Sequence, residues 1–158
     1  MESLQKSSRI VQEFLNEKGV PLRVLELAES TRTVEEAAQT IGVVPGQIVK
    51  SMVFRGKESG KPILVIASGC NRVPEKKMKQ WVGEAIERPD AKFVQDVTGF
   101  AIGGIPPVAH KELMETWIDE DLYQYEEVWA AAGTPYSVFP LHPDHLVPLT
   151  QGKVISFK

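Results

Sequence analysis

The strand-like run Ile48-Val49-Lys50-Ser51-Met52-Val53-Phe54-Arg55, the polar turn Gly56-Lys57-Glu58-Ser59-Gly60 and the second run Pro62-Ile63-Leu64-Val65-Ile66-Ala67-Ser68 decide the fold. Both runs are short, apolar and rich in branched residues, and the turn between them is polar with a glycine at each end. They read as the two strands of a hairpin, and their apolar character marks the centre of a sheet. Lys50 is the exception within the first strand. An ammonium in a buried strand either snorkels to the surface or sits in a cleft that meets something anionic.

Working outward, residues 3–18 carry Leu4, Ile10, Val11, Phe14 and Leu15 at mainly helical spacing, with Gly19 and Pro21 as a stop. Residues 20–27 alternate loosely and are rich in branched side chains, which predicts a strand. Thr33-Val34-Glu35-Glu36 is a capping box: the Thr33 hydroxyl accepts from the Glu36 amide while the Glu36 carboxylate accepts from the Thr33 amide. The helix it opens ends at Ile41, before Gly42. Pro74 suits a first helical position and predicts a helix through Trp81, ended by Gly83. A shorter helix or turn follows, then a strand near residues 91–94. Residues 113–118, 127–131 and 136–141 read as three more strands. Pro143-Asp144-His145-Leu146 starts a turn or short helix, and residues 154–157 close the sheet. The class is α+β. No internal repeat, linker or low-complexity tract interrupts the chain, so one domain over 1–158 is expected.

A chain of 158 residues can bury a sizeable core without staples. The single cysteine, Cys70, forms no internal disulfide and is read as structural. With no apolar leader at the N-terminus, it predicts a reducing cytosolic setting. No apolar run approaches the length of a membrane span. The formal charge of −3 excludes a protein that coats nucleic acid through its overall field. Charge is nevertheless polarised along the chain. Arg72, Lys76, Lys77 and Lys79 cluster after the hairpin, and acids gather between Glu112 and Glu127. Such a cluster is ordinarily a solvated face; its functional reading is a footprint for a polyanion.

The loop Thr98-Gly99-Phe100-Ala101-Ile102-Gly103-Gly104-Ile105-Pro106-Pro107 sets paired glycines and paired prolines beside apolar residues. That composition suits a rigid backbone whose amides a ligand can approach closely. Alone it marks only a turn, as Lys50 alone marks only a surface lysine; together they suggest a pocket for a polar ligand. His110, His142 and His145 lack metal-site spacing, so no metal or cofactor is expected. Nucleophile elbows, the phosphate-binding lysine loop and the dinucleotide fingerprint are all missing.

In order and spacing, Thr33-x-x-Glu36-Ala37-Ala38, Gln47 to Phe54, Thr98-Gly99-Phe100-x-x-Gly103-Gly104-Ile105-Pro106-Pro107, Ala132-Gly133 and Leu141-His142-Pro143-Asp144-His145-Leu146 resemble the YbaK/ProX aminoacyl-tRNA deacylases. These include the editing domain inserted into bacterial prolyl-tRNA synthetases. The resemblance implies a mixed β-sheet curved into a partly open barrel and flanked by helices. It also implies a pocket for the 3′ acceptor end of a mischarged aminoacyl-tRNA, whose ester is hydrolysed. Lys50 falls on the family's functional lysine, and Gly103 with Pro107 on its Gly-x-x-x-Pro loop.

Ester hydrolysis builds charge on the carbonyl oxygen, so the Gly103 and Gly104 amides or the Lys50 cation are expected to stabilise it. Lys50 serves equally as an anchor for the terminal phosphate or ribose. The attacking group is either a held water or the substrate's own ribose hydroxyl, in a substrate-assisted reaction without metal. Substrate contacts are expected from Ser51, Thr98, Gly99, Pro107, Ala131 and Gly133, and tRNA contacts from Arg72, Lys76, Lys77 and Lys79. Family members favour small amino acids, commonly on proline tRNA, and transient association with a prolyl-tRNA synthetase is the partner expectation. Ala130-Ala131-Ala132 stands where cysteine-directed members often show Val-Ser-Ala, which argues against cysteine selectivity. Two rivals stay open: a non-catalytic tRNA- or synthetase-binding module, favoured by the missing serine at Ala131, and a hydrolase of small acyl esters, which suits the acidic chain.

Overall fold

The computed structural model describes residues 4–158. The chain runs α1 (Lys6–Glu17), β1 (Leu25–Glu26), α2 (Val34–Ile41), β2 (Ile48–Gly56), β3 (Pro62–Ser68), α3 (Lys79–Val82) and β4 (Ile86–Glu87). It continues through α4 (Ala91–Thr98), β5 (Glu115–Asp119), β6 (Val128–Ala131), β7 (Ser137–Leu141), α5 (Leu146–Thr150) and β8 (Lys153–Ile155). The strands form one mixed sheet in the order β1-β7-β6-β2-β3-β5-β8, with β4 on the flank of β2. Its two end strands do not pair with each other, so the sheet stays open, with helices against it.

The hairpin is central, antiparallel from Val49↔Ser68 to Arg55↔Pro62. Side chains alternate across a strand, and the core divides accordingly. Val49, Val53, Leu64, Ile66 and Ile118 pack on one face with Val11 and Leu15 of α1, while Phe54, Ile63, Val65 and Trp117 pack on the other with Met78 and Val82. Burial on both faces explains why β3 reads as a continuous apolar run. Lys50 falls in register with Met52 and Phe54, and Ser51 with Val49 and Val53.

One edge of β2 is only partly covered. The parallel strand β6 pairs with Ile48 and Val49, and β4 pairs with Arg55 and Gly56. Between these two ladders, Lys50 to Phe54 have β3 on one side and no strand on the other. Such a gap leaves backbone and side chains available to a ligand.

The capping box forms as the sequence implies, Glu36 N donating to Thr33 Oγ1 at 3.1 Å and Thr33 N to Glu36 Oε1 at 3.3 Å. Gly42 ends α2 in the left-handed conformation, φ +87°. Four expectations change. The strand predicted near 91–94 is the helix α4, because Asp90 Oδ1 accepts from Phe93 N at 2.9 Å and Val94 and Val97 are buried on one helical face. The strand predicted over 20–27 contracts to β1, since the Gln12 side chain donates to Leu22 O and accepts from Val24 N, binding that backbone in place of a neighbour strand. The helix expected from Pro74 is turns until Lys79. The short strand β4 was not predicted at all. The first helix begins at Lys6; its expected start at residue 3 lies outside the described residues. Among the described residues, no helix is long and apolar enough to cross a membrane.

Candidate active site

A cavity of about 140 Å³ opens at the gap in β2. Ile48, Val49, Lys50 and Ser51 border it from β2, Trp129 and Ala131 from β6, and Val138 from β7. Val34, Ala37 and Ile41 of α2 line another wall, and Ile102, Gly103 and Ile105 bring in the glycine-proline loop. The segment Thr31 to Thr33 completes the rim. Two of these residues are charged, Lys50 and Arg32, and both are cations; among the described residues no carboxylate lines the cavity. A cleft of one sign of charge with apolar walls concentrates ligands of the opposite sign.

Lys50 is half-buried and donates to Asn71 O at 3.0 Å. An ammonium carries three N–H donors, so two remain for a ligand. Burial holds its pKa below the ordinary lysine value, and the nearby positive charges of Arg88 and Arg72 push the same way against Glu35 and Asp119. Asn71 is itself held. Its Nδ2 donates to Asp119 Oδ2 and to Asp121 Oδ2, both at 2.8 Å. Asp119 is completely buried and also accepts from Ser68 N at 3.0 Å and Asp121 N at 2.9 Å. Lys50 is thus tethered, through one backbone carbonyl, to a carboxylate at the end of the neighbouring strand pair. Nothing in the spacing of Asn71 and Asp119 announces this; only the parallel pairing of β3 with β5 brings them together.

Gly103 has φ +107°, and a Cβ there would stand 3.2 Å from Cγ and Nε of Arg32. Its amide donates to no group among the described residues. Gly104 differs: its N–H donates to Ala101 O at 3.3 Å, its carbonyl accepts from Gly133 N at 2.8 Å, and it does not line the cavity. A Cβ on Gly104 would lie 2.7 Å from the Thr134 backbone, so this glycine serves close packing of the loop and not a free amide.

Of the expected substrate contacts, Ser51 and Ala131 line the cavity, whereas Thr98, Gly99, Pro107 and Gly133 do not. Thr98 is buried at the end of α4, where its hydroxyl donates to Val94 O and accepts from Phe100 N. Gly99 caps that helix at φ +82°. Pro107 is buried beside Val108 and Phe14 under a different face. Gly133, at φ +99°, makes room for α1, since a Cβ there would meet Ser7 O at 2.8 Å. These four shape the loop and its supports from behind. Two polar atoms of lining residues, Ser51 Oγ and Trp129 Nε1, are buried without a hydrogen-bond partner among the described residues.

Arg72 follows Asn71 directly, so the basic stretch leaves from beside Lys50. Arg72, Lys76 and Lys77 border a shallow depression, and Lys79 opens α3. Arg72, Lys76 and Lys79 are exposed, while the Lys77 ammonium donates to Lys158 O and lies 5.6 Å above the Trp81 ring. Cys70 is exposed, 3.3 Å from Ser68 Oγ, instead of packing in the core. His110 is held on Pro106 O at 2.7 Å, and His142 caps the turn Pro143–His145.

Residues 28–149 match the aminoacyl-tRNA editing domain, and the chain belongs to that family. YwhH, an uncharacterized protein of Bacillus subtilis, is 35% identical over 131 residues, which are 83% of each chain. EbsC of Enterococcus faecalis, named as a candidate Cys-tRNA(Pro)/Cys-tRNA(Cys) deacylase, is 28% identical across 89% of this chain and 87% of its own. The crystal structure of a candidate trans-editing enzyme for prolyl-tRNA synthetase matches with a TM-score of 0.91 and 46% identity over 98% of both chains.

Proposed function

We propose that this protein is a trans-editing deacylase that hydrolyses the ester of a small amino acid mischarged onto proline tRNA. The observation that carries the reading is the cavity itself: an apolar chamber of about 140 Å³ whose charged residues are both cations. A chamber of that size takes an aminoacyl group of alanine, cysteine or serine size and leaves the terminal adenosine at the mouth. Trp129, Ile41 and Ile105 are among the bulky side chains that line it, and a small apolar chamber supplies the size exclusion an editing pocket needs.

In the reaction, an oxygen nucleophile adds to the ester carbonyl, and the oxyanion meets the spare N–H groups of Lys50 and the unengaged amide of Gly103. Collapse expels the ribose oxygen, which takes a proton, and releases the amino acid. No histidine or carboxylate among the described residues lines the cavity, so the nucleophile is a held water whose proton passes to a group of the substrate, with the vicinal ribose hydroxyl orienting that water.

The test is deacylation of alanyl-, cysteinyl-, seryl- and prolyl-tRNA(Pro). Hydrolysis of one or more small esters above the buffer rate, with the prolyl ester spared, is expected. Binding of the tRNAs with every ester surviving would make the protein an accessory module, and equal turnover of small esters lacking tRNA would make it a general esterase.

The acceptor stem is assigned to the basic stretch beside Lys50. Replacing both Lys76 and Lys77 by glutamate is expected to weaken tRNA binding at low salt and to flatten the log Kd against log salt slope by about 1 to 2. A slope equal to wild type would place the stem elsewhere.

A further inference from the structure

We infer that Arg32 is the site for the phosphodiester joining the last two nucleotides of the acceptor end, a role that rests on the deacylase reading. Arg32 is the second cation of the cavity and stands at its rim, exposed. Its backbone is pinned on both sides: Thr31 N and Oγ1 donate to Pro135 O at 2.6 and 3.0 Å, and Thr33 closes the capping box of α2. Its side chain lies across Gly103, where no Cβ intervenes. The pinned backbone fixes where the side chain starts, and the Gly103 backbone gives its stem a surface to lie on.

The guanidinium is also unspent. Among the described residues it makes no ion pair or hydrogen bond, whereas Lys50, the other cation of the cavity, holds Asn71 O. A guanidinium presents paired N–H donors in a plane that match two phosphate oxygens, which an ammonium does not. The two cations therefore divide by depth and chemistry. Lys50, half-buried with two spare donors, meets the ester, and Arg32 at the rim meets the first phosphate outside. With the aminoacyl group filling the chamber and adenosine at the mouth, that phosphate is the nearest fixed anion of the substrate. Gly103 is favoured twice under this arrangement, for its positive φ and because a Cβ there would crowd the Arg32 side chain at 3.2 Å.

The experiment separates this contact from catalysis by using unesterified probes, adenosine and the dinucleotide CpA, titrated by NMR into wild type, Arg32→Ala and Arg32→Lys. Wild type is expected to bind CpA about tenfold more tightly than adenosine. Arg32→Ala should erase that advantage without changing adenosine affinity, and Arg32→Lys should keep part of it. In turnover, Arg32→Ala should raise KM for aminoacyl-tRNA about tenfold with kcat within about twofold. Equal binding of the two probes by wild type, or an undiminished CpA advantage in Arg32→Ala, overturns the assignment. If the CpA contrast holds while no aminoacyl ester is hydrolysed, the deacylase reading fails and Arg32 stands as an acceptor-end contact.

Discussion

Lys50→Ala is expected to lower kcat/KM for deacylation about 10²- to 10³-fold, the scale of losing one donor aimed at a developing oxyanion. The fold should be little affected. The side chain is half-buried, makes one hydrogen bond to a backbone carbonyl, and carries a charge that its surroundings desolvate. Lys50→Ala should therefore melt close to wild type, so lost turnover reports chemistry and not unfolding. A pH profile adds an independent readout. Burial and the charges of Arg88 and Arg72 hold the Lys50 pKa below the ordinary lysine value, and the charged form is the one that stabilises an oxyanion. The enzyme-dependent rate, corrected for spontaneous ester hydrolysis, should fall as pH rises through that lowered pKa, before an exposed lysine would titrate. Lys50→Arg keeps its charge throughout and should lack that alkaline fall, whatever its absolute rate. A wild-type rate that climbs through the same range would instead make the neutral amine a base, and the stabiliser role would be lost.

The parts of the fold legible in the sequence are those that local chemistry controls. The hairpin of β2 and β3 and the capping box of α2 appear where residue pattern and spacing put them, because turn residues and a reciprocal side-chain cap act within a few positions. Residues 91–94 read as a strand but form the start of α4, because Asp90 caps a helix there and Val94 and Val97 find the core on one helical face. β4 has two residues and exists only because Arg55 and Gly56 offer an edge. The site divides in the same manner. Lys50 is visible as a charge inside an apolar strand. Arg32 looks like any loop arginine until α2 brings it over Gly103. Gly103 and Gly104 are adjacent and identical in sequence, yet one faces the cavity with a spare amide and the other packs on Thr134, a difference that belongs to the tertiary contact.

Asp119→Ala is expected to be the most damaging substitution outside the cavity, for stability first and activity second. The carboxylate is completely buried and accepts from Ser68 N, Asn71 Nδ2 and Asp121 N, so its loss takes an acceptor from all three at once, of which only Asn71 Nδ2 keeps another, Asp121 Oδ2. Each buried donor left without a partner costs about 1 to 3 kcal/mol, and because the three share one acceptor the sum is less than additive, on the order of 3 kcal/mol. For a chain of this size that lowers the melting temperature by about 6 to 12 °C. Asp119→Asn keeps one acceptor oxygen and the volume, and should fall between the two. Activity is measured well below the transition so that only folded enzyme is compared. There, the loosened Asn71 carbonyl no longer fixes Lys50, and kcat should drop about tenfold, the cost of misplacing a group that must meet its target within a fraction of an ångström. The substitution also removes a negative charge that raises the Lys50 pKa. The alkaline fall in rate should therefore move to lower pH in Asp119→Ala, an effect that general loosening of the fold does not produce. Loss of stability with a wild-type kcat and an unmoved pH profile would show that the Asn71 tether supports the fold alone and does not position the lysine.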